Sequence, residues 1–132
     1  MIRRMLCLLV LTAPSLLRAQ NSVPALCDTT LAPAALRHCA SEELDAAKRD
    51  LNRYVQEARR VATNRALLDS AQGAWEHFRD VACRAAEDQY RGGTAKPVVV
   101  LRCLRDLTRR RVHEVYEHYL RAGKSALAEP AP

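Results

Sequence analysis

Residues 71–83 read AQGAWEHFRDVAC. Trp75, Arg79 and Cys83 follow one another at intervals of four, and Gln72 stands three before Trp75. Residues three and four apart share a helix face, so this run predicts a helical stripe joining an aromatic ring, a guanidinium and a thiol. A stripe of that make-up either builds the fold or meets a partner. The helical period extends on both sides, from about Arg65 to Tyr90. Its apolar or small positions are Leu68, Ala71, Trp75, Phe78, Ala82 and Ala85, one amphipathic face. Thr63-Asn64 supplies a break and an N-cap before it, and Gly92-Gly93 stops it, as glycine does beyond a helix C-terminus.

Two further segments carry the same period. From Pro33 to about Ala62 the stripe is Leu36, Ala40, Leu44, Ala47, Leu51, Tyr54, Ala58 and Val61. Glu42, Glu43, Lys48, Arg49, Arg53, Glu57 and Arg60 fall on the other face, which reads as a solvated surface. After a Thr94 cap, with Pro97 tolerated in the first turn, a third helix runs to about Arg121. Leu101, Leu104, Thr108, Val112, Val115 and Tyr119 form its inner face, and Gly123 ends it. PVVVL at 97–101 is the sole β-branched cluster, and helical periodicity continues past it. No repeat is visible, and no heptads are sustained long enough to predict a coiled coil. The expected fold is all-α: a small three-helix bundle stabilised by two disulfides, over residues 20–123, with 124–132 as a flexible tail.

The first 19 residues do not fit that domain. Arg3-Arg4, the apolar run Met5–Leu11, Pro14 and the small Ala19 have the layout of a Sec-type signal peptide cleaved near Ala19-Gln20. The apolar run is too short to span a bilayer, so no stable membrane insertion is expected after cleavage, and the mature chain is expected to be periplasmic or secreted. Arg3, Arg4 and Arg18 leave with the signal. The 21 basic residues then become 18 against 15 acidic, and the formal charge falls from +6 to +3. Half the basicity is therefore signal peptide. With scattered aromatics and no stacking platform, nucleic acid is not an expected partner.

Cys7 also leaves, so four cysteines remain: Cys27, Cys39, Cys83 and Cys103. An even count in an exported chain reads as two disulfides. Their separations of 12, 44 and 20 do not supply the close pairs of a zinc site, so neither metal nor cofactor is expected. If the second and third helices form a hairpin about Gly93, Cys83 and Cys103 lie ten residues either side of it. They then stand at one height on facing helices, as a bridge requires. Cys27 pairs with Cys39 by elimination. The crossed pairing, 27–83 with 39–103, stays open on sequence alone.

The chemistry points away from an enzyme. HEVYEH, residues 113–118, places its histidines five apart rather than four, so they diverge by about 140° around the axis. His38 and His77 have no carboxylate at a telling spacing, and no nucleophile elbow or phosphate loop is present. The informative polar residues are those on or beside apolar faces. These are Gln72, Trp75, Arg79 and Asp80 on the second helix, Thr108 and Arg111 on the third, and Asn52 on the first. A guanidinium can lay its stem along Trp75 and donate to neighbouring oxygens. Trp and Arg are also typical interface anchors. Scaffolding is the favoured role, because the inner-face placement lies close to an expected disulfide.

Cys39, Leu51-Asn52, LLDSAQGAWEHFRDVAC, Gly92-Gly93 and CLRDLTRRR together resemble the LprI-type lysozyme-inhibitor N-terminal domain family over about Cys27 to Tyr119. Ala71-Gln72, Trp75, Arg79-Asp80 and Cys83 carry the specific part. Two positions depart from the family pattern. Lys48 stands where an Asp is common, and Tyr54 comes one residue early, leaving Val55 in the expected tyrosine position. The resemblance implies a small, exported, bacterial, helical protein that binds a protein partner, lysozyme, and occludes its cleft. The alternative is a helical interaction module of the cell envelope without lysozyme activity. The mildly basic mature chain would not be steered toward a basic lysozyme; Glu42-Glu43 and Glu87-Asp88 are the local acidic candidates.

Overall fold

The computed structural model of the protein describes Cys27, residues 29–90, Gly93, 96–123 and 125–131. The expected signal peptide and its cleavage site, Gly92 and the Thr94 cap lie outside the described residues. Among those described, the chain forms α1 (Pro33–Val61), α2 (Arg65–Asp88) and α3 (Lys96–Val115), and α3 runs on into a π-helical turn, Tyr116–Leu120.

The boundaries follow from local chemistry. Pro33 occupies the first helical position of α1, where a missing N–H costs nothing. α1 ends as Ala62 turns extended. Asn64 then caps α2, its side-chain oxygen accepting the Leu67 N–H at 3.0 Å, a contact of about 1 kcal/mol. Gly93, at φ +127°, adopts a backbone that only glycine takes up without strain.

α3 is the central element. It packs along most of its length against α1 and, on another side, against α2, whereas α1 and α2 stay apart except near their shared end. Glu43 meets Arg105 and Tyr54 meets Tyr116, so α1 and α3 run parallel. The Cys83–Cys103 bridge and the Lys96–Glu87 pair make α2 antiparallel to α3. The main core joins Leu51, Tyr54, Val55 and Ala58 of α1 to Leu68 of α2 and to Val112, Val115 and Leu120. Leu68 is almost wholly enclosed, and truncating such a leucine costs about 2–5 kcal/mol.

Both disulfides of the uncrossed pairing are present. Cys27–Cys39 has its Cα atoms 5.9 Å apart, and Cys83–Cys103 has them 5.6 Å apart. The first ties the leader to α1 and the second ties α2 to α3.

Several face assignments differ from the sequence reading. Ala71, Phe78 and Ala85 face solvent. α2 carries two overlapping stripes, and α3 with the disulfide selects Leu68, Gln72, Trp75, Arg79 and Cys83. Near the end of α3 the buried residue is Leu120 rather than the half-buried Tyr119. The Arg121 N–H reaches back five residues to the Tyr116 carbonyl at 2.9 Å, and this wider turn advances the buried position by one. Glu43, assigned to the solvated face, is enclosed: its carboxylate takes Arg105 on one oxygen and the Cys27 N–H, at 3.1 Å, on the other. Of the tail, Leu127 packs on the core. The Ala128 carbonyl accepts the Tyr54 hydroxyl at 2.8 Å.

Candidate functional site

Because α1 and α2 diverge on one side of α3, a groove of about 340 Å³ opens between them. Leu51 and Val55 of α1 floor it. Lys48, Asn52 and Gln56 line the α1 wall, and Gln72, Glu76 and Arg79 line the α2 wall. Asn52 and Gln56 are four apart and linked by a side-chain hydrogen bond of 3.5 Å. Gln72 and Glu76 are likewise four apart and linked at 3.3 Å. Arg59 bridges the groove end to Asp69 at 2.6 Å, an exposed pair worth about 0–1 kcal/mol.

Behind the α2 wall lies the tryptophan stripe. The Arg79 guanidinium sits 5.2 Å and that of Arg111 5.6 Å from the Trp75 ring centroid. Arg79 donates to Asp80 at 2.8 and 2.9 Å. Arg111 donates to Gln72 at 3.2 Å and to Glu114 at 2.9 Å. Each arginine side chain is only 15% exposed. α2 and α3 are thus joined by a polar layer, Gln72–Arg111, stacked on Trp75 and lying on the same flank as the disulfide. Each cation–π contact contributes about 0.5–1 kcal/mol.

Of the residues singled out from sequence, Gln72, Trp75, Arg79, Asp80 and Arg111 form this one cluster, and Asn52 stands across the groove from it. Thr108 belongs elsewhere. It is fully buried, and its hydroxyl donates to the Leu104 carbonyl at 2.7 Å, which satisfies it within α3.

Sequence reasoning missed the pair Glu43–Arg105. Both side chains are 8% exposed. Burial works against the Arg105 charge, but its hydrogen bonds to Asp106 and Glu43 outweigh that and hold its pKa above the ordinary arginine value. A signal was present: Val98, Arg105, Thr108, Val112 and Val115 advance in threes, fours and sevens, so Arg105 occupies a core position. Opposite charges on the facing stripes of two helices would have named the pair.

The groove lining contains one carboxylate and no histidine, serine or cysteine. It can donate and accept hydrogen bonds along an extended surface, and it holds no nucleophile–base pair. Cys27, Cys39 and Glu43 cluster closely enough to suggest metal ligands, but the two sulfurs are bonded to each other. His113 meets the Ala131 carbonyl at 3.0 Å, while His118 is exposed. Among the described residues no helix is long and apolar enough to cross a membrane.

Comparison with known proteins bears on the same residues. A family model described as "Lysozyme inhibitor LprI" matches residues 27–115, a range that includes both disulfides, the groove and the Trp75 cluster. An uncharacterized protein of Rhizobium meliloti (strain 1021) is 34% identical over 125 residues, covering 83% of this chain and 88% of the relative. No solved structure matches.

Proposed function

The chain belongs to the lysozyme inhibitor LprI family, and we propose on that basis that it is an exported, non-catalytic protein that binds lysozyme and occludes its glycan-binding cleft. The observation that carries this reading is the family match across residues 27–115. The architecture is compatible with it. An inhibitor that acts by occupancy gains affinity when its surface is already ordered, and here two disulfides and the Gln72–Arg111 layer restrain all three helices. Export agrees with the disulfides, which persist in oxidising compartments.

Steering would come from local patches. Glu43 is committed internally to Arg105 and Glu87 pairs with Lys96 at 3.2 Å. Glu42, which meets His38 at 3.3 Å, and Asp88 are the exposed acids of the two candidate pairs. The exposed amides Asn52 and Gln56 on the groove rim offer donors and acceptors of the kind that meet a polar enzyme surface.

The test is a titration of lysozyme turnover against the purified mature protein. Activity falling stoichiometrically with added protein supports inhibition, and unchanged turnover at a large molar excess refutes it. Arg79→Ala separates scaffold from contact residue. A lowered melting transition with retained inhibition of the folded fraction identifies scaffolding, and an unchanged melt with lost inhibition identifies a contact.

A further inference from the structure

Leu67, Ala71, Ala74, Phe78, Val81 and Ala85 are all exposed on α2. Their steps alternate four, three, four, three, four, which is the a/d spacing of a helix-pairing seam. The seam covers 18 residue steps, about 27 Å of helix. Leu67 is 66%, Phe78 57% and Val81 42% exposed, and they are three of the five large hydrophobics left in solvent among the described residues. Ala71, Phe78 and Ala85 also fit the inner stripe by spacing, which conceals this seam in the sequence.

We infer that this outer face of α2 is a self-association surface, on which a second copy of the chain lays its own α2 antiparallel about a two-fold axis. The order of side-chain sizes identifies the occupant. Reversing the seam about position 76 sets Leu67 against Ala85 of the other copy, Ala71 against Val81, and Ala74 against Phe78. Every layer then joins one large side chain to one small one, the alternation that fills a helix interface without voids. A two-fold axis generates each pairing twice, as an isologous contact requires. Parallel pairing would instead place Phe78 on Phe78 and alanine on alanine, crowding some layers and leaving others empty. On the flank, Arg84 falls beside Ser70 of the other copy, so no two permanent like charges meet.

Two helices in contact over this length bury an area on the order of 1,000 Å², the low end for specific association. The expected dimer is accordingly weak, with a Kd on the order of 10–100 µM. Glu76, on the groove wall, lies about half a turn around α2 from the seam. The dimer therefore leaves both grooves open, and the inference stands independently of the lysozyme reading.

Sedimentation equilibrium of the oxidised mature protein, carried up to about 500 µM to exceed the expected Kd, tests this. Concentration-dependent dimer is expected. Phe78→Glu and Ala74→Phe should each weaken it by about tenfold or more, the second by placing two phenylalanines in one layer. The exchange Ala74→Phe with Phe78→Ala should restore it, since each layer again holds one large and one small residue. Both positions are exposed, so unchanged thermal melts verify folding. A wild-type chain that stays monomeric throughout overturns the inference. So does dimer insensitive to Phe78→Glu, or an exchange variant no better than Ala74→Phe. A monomeric wild type whose lysozyme inhibition is lost on Phe78→Glu would assign the face to the enzyme instead, again overturning self-association.

Discussion

Glu43 of α1 and Arg105 of α3 form an enclosed charge pair. Its side chains are each 8% exposed, and it links α1 to α3 while also holding the disulfide-bound Cys27 backbone. Removing Arg105 as Arg105→Met leaves the Glu43 carboxylate enclosed with a single backbone N–H. Stranding a buried charge in this way costs about 3–5 kcal/mol. Glu43→Leu should cost less, about 2–3 kcal/mol, because the half-exposed Asp106 still holds Arg105 at 2.7 Å. The double variant Glu43→Leu/Arg105→Met removes both charges and substitutes apolar contact, so it should lie within about 1 kcal/mol of wild type. The cycle then gives a coupling energy of about 3 kcal/mol or more, from single losses that sum far above the double. In thermal terms Arg105→Met should lower Tm by about 12 °C or more for a domain of this size. Urea unfolding under non-reducing conditions, with m unchanged, measures each corner of the cycle. Single losses under about 1 kcal/mol that simply add would mean the pair behaves as an exposed surface bridge, and the reasoning from burial would be refuted.

Two further outcomes are expected. Replacing Cys83 and Cys103 together by serine opens a bridge between residues 20 apart in sequence and should cost about 3 kcal/mol in urea unfolding; a loss under about 1 kcal/mol would show that the remaining α2–α3 contacts, among them Arg111 on Trp75 and Gln72, hold the hairpin without the bridge. Burial raises the Tyr54 pKa above its ordinary value of 10.0, so the folded state holds this proton more tightly than the unfolded chain. Its contribution is complete below about pH 10 and is lost as pH rises through the higher folded value. Tyr54→Phe should lose about 0.5–1.5 kcal/mol with the bond to the Ala128 carbonyl, and its stability should decline less steeply above about pH 10. Parallel alkaline declines for the two proteins would remove Tyr54 as the responsible group.

How legible each feature was depends on how local its cause is. The three helices, their approximate ends and the Asn64 cap follow from spacing and turn chemistry, which act over a few residues. The Cys83–Cys103 bridge followed once the glycine turn was placed, because equal distances from a hairpin turn put residues at one height. The Gln72, Trp75, Arg79 and Asp80 cluster was legible because its cause is local: all four lie within little more than two turns of one helix. Arg111 joined it through proximity on the facing helix.

Rotation about each helix axis was harder to read. Residues 67–85 of α2 carry two overlapping apolar patterns, and nothing in the helix itself decides which one turns inward. α3 decided it by meeting Leu68 and Cys83, which left Phe78 outside. The same limit hid Glu43, whose solvated appearance ended only when α3 brought Arg105 against it, and Leu120, which is buried because a single wider turn changes the phase. By itself the sequence determined where helices form and where they stop, since those depend on neighbours along the chain, and it left the crossed and uncrossed sulfur pairings both open. Only the tertiary structure decided which of the two stripes of α2 is dry and that Glu43 is enclosed, because that depends on what the other helices cover.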